Sequence, residues 1–512
     1  MSINTQAQPT TKHESSLITY LDFLKKNLEE PKGSLMIPLE KYLMDRPVGF
    51  HPLMIMVILL VISVSVFFLT GPNYLLALAP GPALLVLLLL WNRPELGLFM
   101  ILFLLPLDQY TGLSVAYKSV TVSKLIGLLT VLLFGIRLLS DRSNTYHLGS
   151  GLWSWLLAFF GIWLLGTLAS QYPATSINAL RRLLTAYSIF FLGLGLLSRD
   201  RLFKVLPLVI IISTTLSALI SIYGAIANDP AFIMNVNKKY LRYAGGVSDP
   251  NDFATMQLFA LPLIACTLRR FKGTRGYWPT AGLLGVCVVS VILTYSRAGA
   301  LIMSATLLLL GGQYLREFNV KKTGFFLLSF ALAGLIILTV IPDTYWQRQT
   351  TLTQHKTDFS IGRRLSYLIF AFEKFKDKPL FGYGPATFEK MYATSQWSLH
   401  FAQEDRAKGR VAHNSYVEVL IGTGLIGLTL YLVIIIYAYK NFYAAWGIYH
   451  HLNRTEKCRQ ITAFAISFSV LLMSFMFLSI NYHKYFWISL AISQVGLKYA
   501  KNDQKQLEGA QG

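Results

Sequence analysis

His413 is the side chain in this sequence that is best suited to acid–base chemistry. It is followed by Asn414, Ser415 and Tyr416, and an apolar, Gly-punctuated stretch begins directly after them. A neutral imidazole accepts protons near neutral pH, with a reference pKa of about 6.5. Nearby arginines would keep His413 neutral, so that it could take a proton from a hydroxyl group. The alternative is a histidine bonded to backbone at a helix start, with Asn414 or Ser415 as the N-cap.

Arginines between apolar stretches form the second group of candidates. They are Arg181, Arg182, Arg242, Arg297, Arg363 and Arg364, with Lys238 and Lys239 just before Arg242. A guanidinium offers a rigid fork of donors that matches phosphate oxygens. Several of them facing one cavity would bind a lipid-linked phosphate or pyrophosphate. For any single arginine the alternative is that its side chain reaches to lipid headgroups.

The composition places these residues in a membrane protein. Of the 512 residues, 54% are hydrophobic and 14% are charged, whereas a soluble chain carries roughly 25% charged residues. The net charge of +21 would suggest nucleic acid in a soluble protein. Here the cations lie between apolar runs, where they orient helices and meet anionic lipid. The sequence therefore predicts membrane lipid, and no nucleic acid, as a partner.

Spanning helices need about 20 mostly apolar residues, and this length predicts an all-α membrane protein with about 12–14 of them. The predicted spans are 52–70, 74–91, 122–140, 150–169, 180–197, 203–224, 253–269, 278–294, 298–315, 324–341, 415–438, 460–480 and 484–499. The run 96–107 is shorter and is predicted to be tilted or re-entrant. Internal repeats and broken helices are expected of transporters, and neither is visible in this sequence.

Lys and Arg in the short loops set the orientation. Basic clusters alternate along the chain and are assigned to the cytoplasm; they lie in 269–275, 316–322 and 440–459. This places both termini inside and the polar segment 342–413 outside. The predicted organisation is a cytoplasmic tail (1–50) with a possible interfacial helix, spans (51–341), a large periplasmic loop (342–413), spans (414–500) and a tail (501–512).

The three cysteines, Cys266, Cys287 and Cys458, have no short spacing and no partnering histidine pattern. They predict neither a disulfide nor a metal site. The first residues are polar and lack the apolar core of a signal peptide. We therefore expect the first spanning helix to act as the targeting signal.

Four motifs resemble those of the bacterial O-antigen ligase and polymerase family, in that family's order. The elements are Arg242 with Asp249-Pro250-Asn251-Asp252-Phe253-Ala254, then Tyr295-Ser296-Arg297-Ala298-Gly299, then Gly362-Arg363 with Lys378-Pro379-Leu380-Phe381-Gly382-Tyr383-Gly384-Pro385, and finally His413-Asn414-Ser415-Tyr416 with Glu418 to Gly427. The resemblance covers roughly residues 150 to 440. Ala298 and Lys378 depart from it, since the family often has Gly and His there.

The resemblance implies a polytopic inner-membrane glycosyltransferase of the GT-C type. Such enzymes take a glycan from undecaprenyl pyrophosphate on the periplasmic side and pass it to another glycan or to lipid A core, with no metal and no cofactor. The family's base corresponds to His413, and its pyrophosphate ligands correspond to Arg297, Arg242 and Arg363. The predicted binding set is completed by Arg364, Asn251, Asn414, Arg181 and Arg182, the last two by position only.

Two other classes of function stay open from the sequence. A flippase for lipid-linked glycans would also have many helices and a cationic cavity, but it needs no base in an outer loop. A non-catalytic membrane scaffold is disfavoured by the outer arginines. Within the enzyme class, the sequence does not distinguish a ligase from a polymerase.

Overall fold

The computed structural model describes residues 80–111, 121–140, 146–198, 200–228, 241–315, 345–346, 349, 359–400 and 409–511. The chain divides into two compact units, Met1–Pro80 with Phe271–Tyr277, and Gly81–Arg270 with Trp278–Gly512. The helices that build the site described below belong to the second unit. The predicted spans 52–70 and 324–341 lie outside the described residues.

The described part of the chain is helical and contains no β-strand, which confirms the all-α fold class. In chain order the helices are α1 Pro80–Asn92, α2 Pro94–Leu104, α3 Val122–Ser140, α4 Trp153–Leu168, α5 Pro173–Leu196, α6 Asp200–Ala227, α7 Pro250–Arg270, α8 Tyr277–Leu293, α9 Arg297–Leu315, α10 Phe359–Asp377, α11 Phe388–Ala393, α12 Gln396–His400, α13 Ser415–His451, α14 Thr455–Phe475 and α15 Lys484–Gln511.

Six of the described helices are long and apolar enough to cross a membrane: α3, α5, α6, α7, α13 and α14. The helices α1 and α2 would form a seventh span if counted together. They bend by 120° at their junction, so the run predicted as tilted or re-entrant lies in a sharply bent pair. The helices α4, α8 and α9 are apolar but shorter. These findings confirm a polytopic membrane protein, and the total of 12–14 spans stays a prediction.

Aromatic side chains hold the last three helices together with α7. Tyr485, Phe486 and Trp487 at the start of α15 are all buried. The Phe259 ring on α7 stacks on Tyr485 with a centroid separation of 4.6 Å, and Phe468 on α14 stacks on Phe486 at 5.6 Å. Large rings at the start of α15 thereby fill the centre of the bundle. The helix continues to Gln511, through residues predicted as a tail.

The helix α13 is broken near its start, which contradicts the expectation that no helix is broken. Gly424 has φ 67° and ψ −168° inside α13. The freed backbone groups pair with the Gly-rich segment 379–384: Tyr383 N donates to Ile421 O (2.9 Å) and Leu425 N donates to Pro379 O (2.8 Å). Gly424 therefore allows the close approach of a loop backbone.

Replacing Gly424 by alanine is therefore expected to destabilise the protein. A positive φ is unfavourable for alanine and costs about 1–3 kcal/mol, and the added Cβ would collide with Leu380 O. We expect a lower thermal unfolding midpoint for Gly424→Ala in detergent. Gly447→Ala is the matched control, because it lies in the same helix with nothing within 4 Å of its Cβ position. An unchanged midpoint for Gly424→Ala would show that the break is not needed for folding.

Candidate active site

The polar segment before α13 forms a small folded layer with its own hydrophobic core. Tyr367 and Phe370 on α10 are each 2% exposed and pack against Phe388 and Tyr392 of α11. The Phe388 and Tyr392 rings are nearly parallel, 5.9 Å apart. The segment predicted as a large periplasmic loop is thus largely helical where it is described, and α10 packs against α11.

The Gly-rich turn 379–385 attaches this layer to the membrane helices. Besides pairing with the break in α13, it reaches α4 and α5. Ser176 Oγ donates to Pro385 O (3.0 Å), and a Cβ built on Gly166 would lie 3.3 Å from Pro385 Cδ. The aromatic, Gly-rich motif therefore has a structural role, since it connects the end of α10 to α4, α5 and α13.

A cavity of about 210 Å³ lies between α10 and the starts of α7, α9 and α13. Its lining contains five arginines and one carboxylate. The lining residues are Arg242, Asp249, Asn251, Arg297, Ala298, Arg363, Arg364, Tyr367, Arg410 and His413. Guanidinium groups in this excess favour an anionic ligand with several oxygens.

Arg242 is held by a hydrogen-bond network on the bundle side of the cavity. It is 8% exposed; its Nε donates to Thr294 O (2.8 Å) and its Nη2 donates to Asn251 Oδ1 (3.0 Å). Ser296 Oγ donates to the same Asn251 oxygen at 2.8 Å, and Asn251 Nδ2 donates to Asp249 Oδ1 at 2.9 Å. Asn251 thus orients Arg242 directly.

Arg297 enters the cavity because a helix begins at that residue. Ser296 caps α9, with Gly299 N donating to Ser296 Oγ at 3.0 Å. A Cβ at Gly299 would lie 3.1 Å from Ala254 Cβ on α7, so glycine lets the two helices approach at this level. The motif that contains Arg297 therefore packs α9 on α7 and brings Arg297 beside the Arg242 network.

The helix α10 supplies the opposite wall. Tyr367 lies four residues after Arg363 and three after Arg364, so it shares a helix face with both arginines. Burial, and after it the Arg297 guanidinium, lowers the pKa of Arg364, but an arginine keeps its charge in proteins. Arg410 hydrogen-bonds to the Tyr367 side chain. Arginines from separate parts of the chain therefore converge on one cavity.

His413 lies directly before α13 in a left-handed conformation, with φ 49°. A non-glycine residue rarely adopts this conformation unless its surroundings hold it there. Asn414 is the N-cap of α13 and accepts from Tyr416 N (3.0 Å) and Val417 N (3.1 Å). Ala412 N donates to Glu418 Oε1 at 2.8 Å. His413 is thus fixed from both sides.

The environment keeps the imidazole neutral. Burial, and after it the Arg364 guanidinium, lowers the pKa of His413 to about 4, while Asp249 acts in the opposite direction. The sequence predicts that arginines depress this pKa. They do contribute, but burial is the larger cause. At neutral pH His413 can therefore accept a proton.

Six of the nine predicted site residues line the cavity: His413, Arg297, Arg242, Arg363, Arg364 and Asn251. The other three do not line it. Arg181 and Arg182 lie on an exposed face of α5, and the Asn414 oxygen is used in capping α13. Lys238 and Lys239 lie outside the described residues.

Asp249, Tyr367 and Arg410 line the cavity but were not predicted as site residues. Each had a signal in the sequence. Asp249 is in the quoted motif that contains Asn251, Tyr367 is one helical turn after Arg363, and Arg410 is a cation three residues before His413. Within the described part of the chain, no group of three or more His, Cys, Asp or Glu side chains could hold a metal ion.

The fold and the cavity define a polytopic α-helical membrane protein with an arginine-rich site beside a neutral histidine. The O-antigen ligase family model, Wzy_C, matches residues 282–432, which confirms the resemblance; three of the four motifs lie inside the match, and the motif of Arg242 with 249–254 lies before it. The matched residues include Arg297, Arg363, Arg364, Arg410 and His413. Comparison with curated proteins gives no match. The family match indicates an enzyme that transfers glycans as a ligase or polymerase.

Proposed function

We propose that this protein transfers a glycan from undecaprenyl pyrophosphate to a hydroxyl group of an acceptor, on the periplasmic side of the inner membrane. The observation that carries the proposal is the cavity in which five arginines meet His413. The acceptor is a second glycan or lipid A core, which corresponds to polymerase or ligase activity. The same chemistry would serve a secreted polysaccharide.

The arginines would stabilise the leaving group. When the glycosidic bond breaks, negative charge grows on the bridging oxygen of the pyrophosphate. Preplaced donors at such a position contribute about 3 kcal/mol each to the transition state. Guanidinium groups that are already in place would supply this stabilisation themselves, so the proposed reaction needs no divalent cation.

His413 would act as the general base. It would take the proton from the acceptor hydroxyl as that oxygen attacks the anomeric carbon, on the face opposite the leaving pyrophosphate, so the reaction inverts configuration. The bound pyrophosphate would offset the positive charge of the arginines and thereby raise the pKa of His413. The base thus becomes stronger when the donor is in place.

The direction of the helices supports the periplasmic assignment. The helices α7, α9 and α13 all begin at the cavity. The far end of α7 carries Arg269 and Arg270, and Lys440 lies towards the far end of α13. Since cationic loops favour the cytoplasm, the cavity ends of these helices would face the periplasm.

Transfer by the purified protein in lipid vesicles tests the proposal. Undecaprenyl-pyrophosphate glycan is supplied with either lipid A core or a second lipid-linked glycan, and products are separated by size. Formation of either product supports the enzyme; neither product, with both acceptors offered, contradicts it. A deletion strain separates the subclasses, because a ligase mutant accumulates long lipid-linked chains whereas a polymerase mutant leaves single repeat units on core.

A transporter of lipid-linked glycans is the second candidate, favoured by the broken helix α13. Discontinuous helices are common at transporter binding sites. In this protein, however, the break is occupied by backbone of the segment 379–384. A transporter would continue to move its substrate after loss of His413, whereas the proposed enzyme would not form product.

The pH dependence of transfer should report on Arg364. Because Arg364 disfavours the protonated imidazole, Arg364→Gln is expected to raise the pKa of His413. Activity needs neutral His413 and is lost as pH falls through this pKa, so the acid limb of kcat/KM should move to higher pH. The profile of kcat/KM is the measurement, since it reports on the free enzyme. Lys376→Gln, an equal charge change on the exposed face of α10, is the control, and an acid limb unmoved by Arg364→Gln would contradict the assignment.

A further inference from the structure

The segment 476–483, between α14 and α15, contacts the starts of two helices that begin at the cavity, α13 and α7. We call it the crossing segment. At its first half it is bonded to the start of α13: Ser415 Oγ donates to Leu478 O (2.7 Å) and accepts from Ile480 N (2.9 Å). Ser415 is fully buried. This half of the crossing segment is therefore fixed to the helix that begins next to His413.

Glu418 connects the crossing segment to the backbone of the proposed base. Its Oε1 accepts from Ser479 Oγ at 3.1 Å and from Ala412 N at 2.8 Å. Ala412 directly precedes His413, whose φ of 49° needs support from its surroundings. Because Glu418 bonds to both segments, a shift of the crossing segment would also shift the backbone next to His413.

The last residue of the crossing segment, His483, contacts the start of α7, next to the side of the cavity that carries Arg242 and Arg297, which we call the arginine wall. Its Nε2 lies 3.4 Å from Asp252 Oδ1, and both side chains are largely buried. Asp252 follows Asn251, the residue that orients Arg242, in the first turn of α7. Both atoms are buried, and in the described part of the chain neither makes a hydrogen bond, either elsewhere or to the other. Their 3.4 Å approach is a close polar contact between two otherwise unsatisfied groups.

The tautomer of His483 suits this contact. Tyr485 N donates to His483 Nδ1 at 3.2 Å, so Nδ1 is the acceptor and the proton of the neutral ring is on Nε2. The Nε2–H can then donate to the Asp252 carboxylate. Burial, and after it Lys484, lowers the pKa of His483 to about 3, which keeps the ring neutral.

We propose that Asp252 and His483 are positioning residues that set the distance between the arginines and His413. The proposal rests on the proposed function, since it concerns the geometry of that reaction. The contact holds one end of the crossing segment at the arginine wall, while Ser415 and Glu418 hold the other at the base. A displacement of about 1 Å between reacting groups can lower a rate on the order of 10²-fold.

Two apolar substitutions of similar volume test the contact: His483→Phe and Asp252→Leu. We expect each to lower kcat by about 10- to 100-fold, while the affinity for inorganic pyrophosphate, measured by calorimetry, stays near the wild-type value. The arginine wall is intact in both variants, so loss of general folding would lower both quantities together. Asp252→Asn keeps an acceptor oxygen and should retain most of kcat.

The double variant Asp252→Leu/His483→Phe separates position from stability. Each single variant leaves one member of the buried pair without its partner, whereas the double variant removes both members; Tyr485 N loses its acceptor equally in both variants that replace His483. We expect the thermal midpoint of the double variant to rise above that of His483→Phe while kcat stays low, because the contact is absent in both. A double variant with wild-type kcat, or single variants with unchanged kcat, would overturn the proposal.

Lys484→Met is the matched control next to the pair. Lys484 Nζ contacts Ser123 Oγ at 2.7 Å and Asp108 Oδ2 at 3.8 Å, and neither partner lines the cavity. We expect the folded fraction of Lys484→Met to have the wild-type kcat. If Lys484→Met loses as much kcat as the pair variants, the loss is not specific to the pair and the proposal is overturned. If the wild-type protein transfers no glycan, the proposed function itself has failed. If the wild type transfers glycan and the pair variants transfer it equally well, only the positioning role has failed.

Discussion

His413→Ala is expected to abolish measurable glycan transfer while the protein still enters the membrane. General-base catalysis typically contributes about 10²–10⁴-fold to a rate. In this cavity no other neutral imidazole is present among the described lining residues. The arginines cannot substitute, because a guanidinium stays protonated. The measurement is single-turnover transfer by purified protein in vesicles, supported by the glycan profile of a knockout strain that expresses the variant.

The conformation of His413 calls for a second variant. Alanine at φ 49° adds backbone strain, which could lower activity by itself. Asparagine tolerates the left-handed region better than other non-glycine residues and is no base, so His413→Asn should fold normally and still fail to transfer. His400→Ala, an exposed histidine on α12, should behave as wild type. Normal products from His413→Asn would remove His413 from the mechanism.

The sequence predicts which residues line the cavity better than it predicts how the cavity is built. His413, Arg297 and Arg242 could be predicted because each lies in a short motif that combines a reactive side chain with a helix start. Helix starts place residues at the same level of a bundle when the helices run in the same direction. His413 and Arg297 reach one cavity for this reason, whereas Arg242, eight residues before α7, is held there by its bonds to Thr294 O and Asn251 Oδ1.

Contacts between distant segments account for what the sequence did not predict. Arg410 meets Tyr367 across 43 positions of chain, and only the folded layer around Phe388 makes them neighbours. Arg181 and Arg182 have the right charge and position along the chain, but helix periodicity turns them to an exposed face of α5. The break at Gly424 could not be inferred because it is stabilised by loop backbone that pairs with it over separations of 38 (Tyr383 to Ile421) to 46 residues (Pro379 to Leu425). The sequence gives the type of each side chain directly, but which distant residues become neighbours is known only from the folded structure.

Arg297→Lys is the second change for which we expect a large effect, about 10²–10³-fold in kcat. Lysine keeps the positive charge at the start of α9, so any effect of net charge on folding or on donor attraction is retained. It loses the planar fork that engages two phosphate oxygens at once. Since the leaving-group charge develops only as the bond breaks, kcat should fall more than KM rises. Steady-state transfer with varied lipid-linked donor measures both quantities.

Arg270→Lys at the opposite end of α7 is the matched control, because it makes the same exchange at an exposed position. It should leave kcat and KM unchanged. If Arg297 merely contacted lipid headgroups, a lysine would serve equally well, since an ammonium group also reaches them. Wild-type turnover by Arg297→Lys would therefore assign Arg297 to the lipid, and transition-state stabilisation would have to come from Arg242, Arg363, Arg364 and Arg410. A loss confined to kcat would instead place the Arg297 guanidinium at the leaving pyrophosphate.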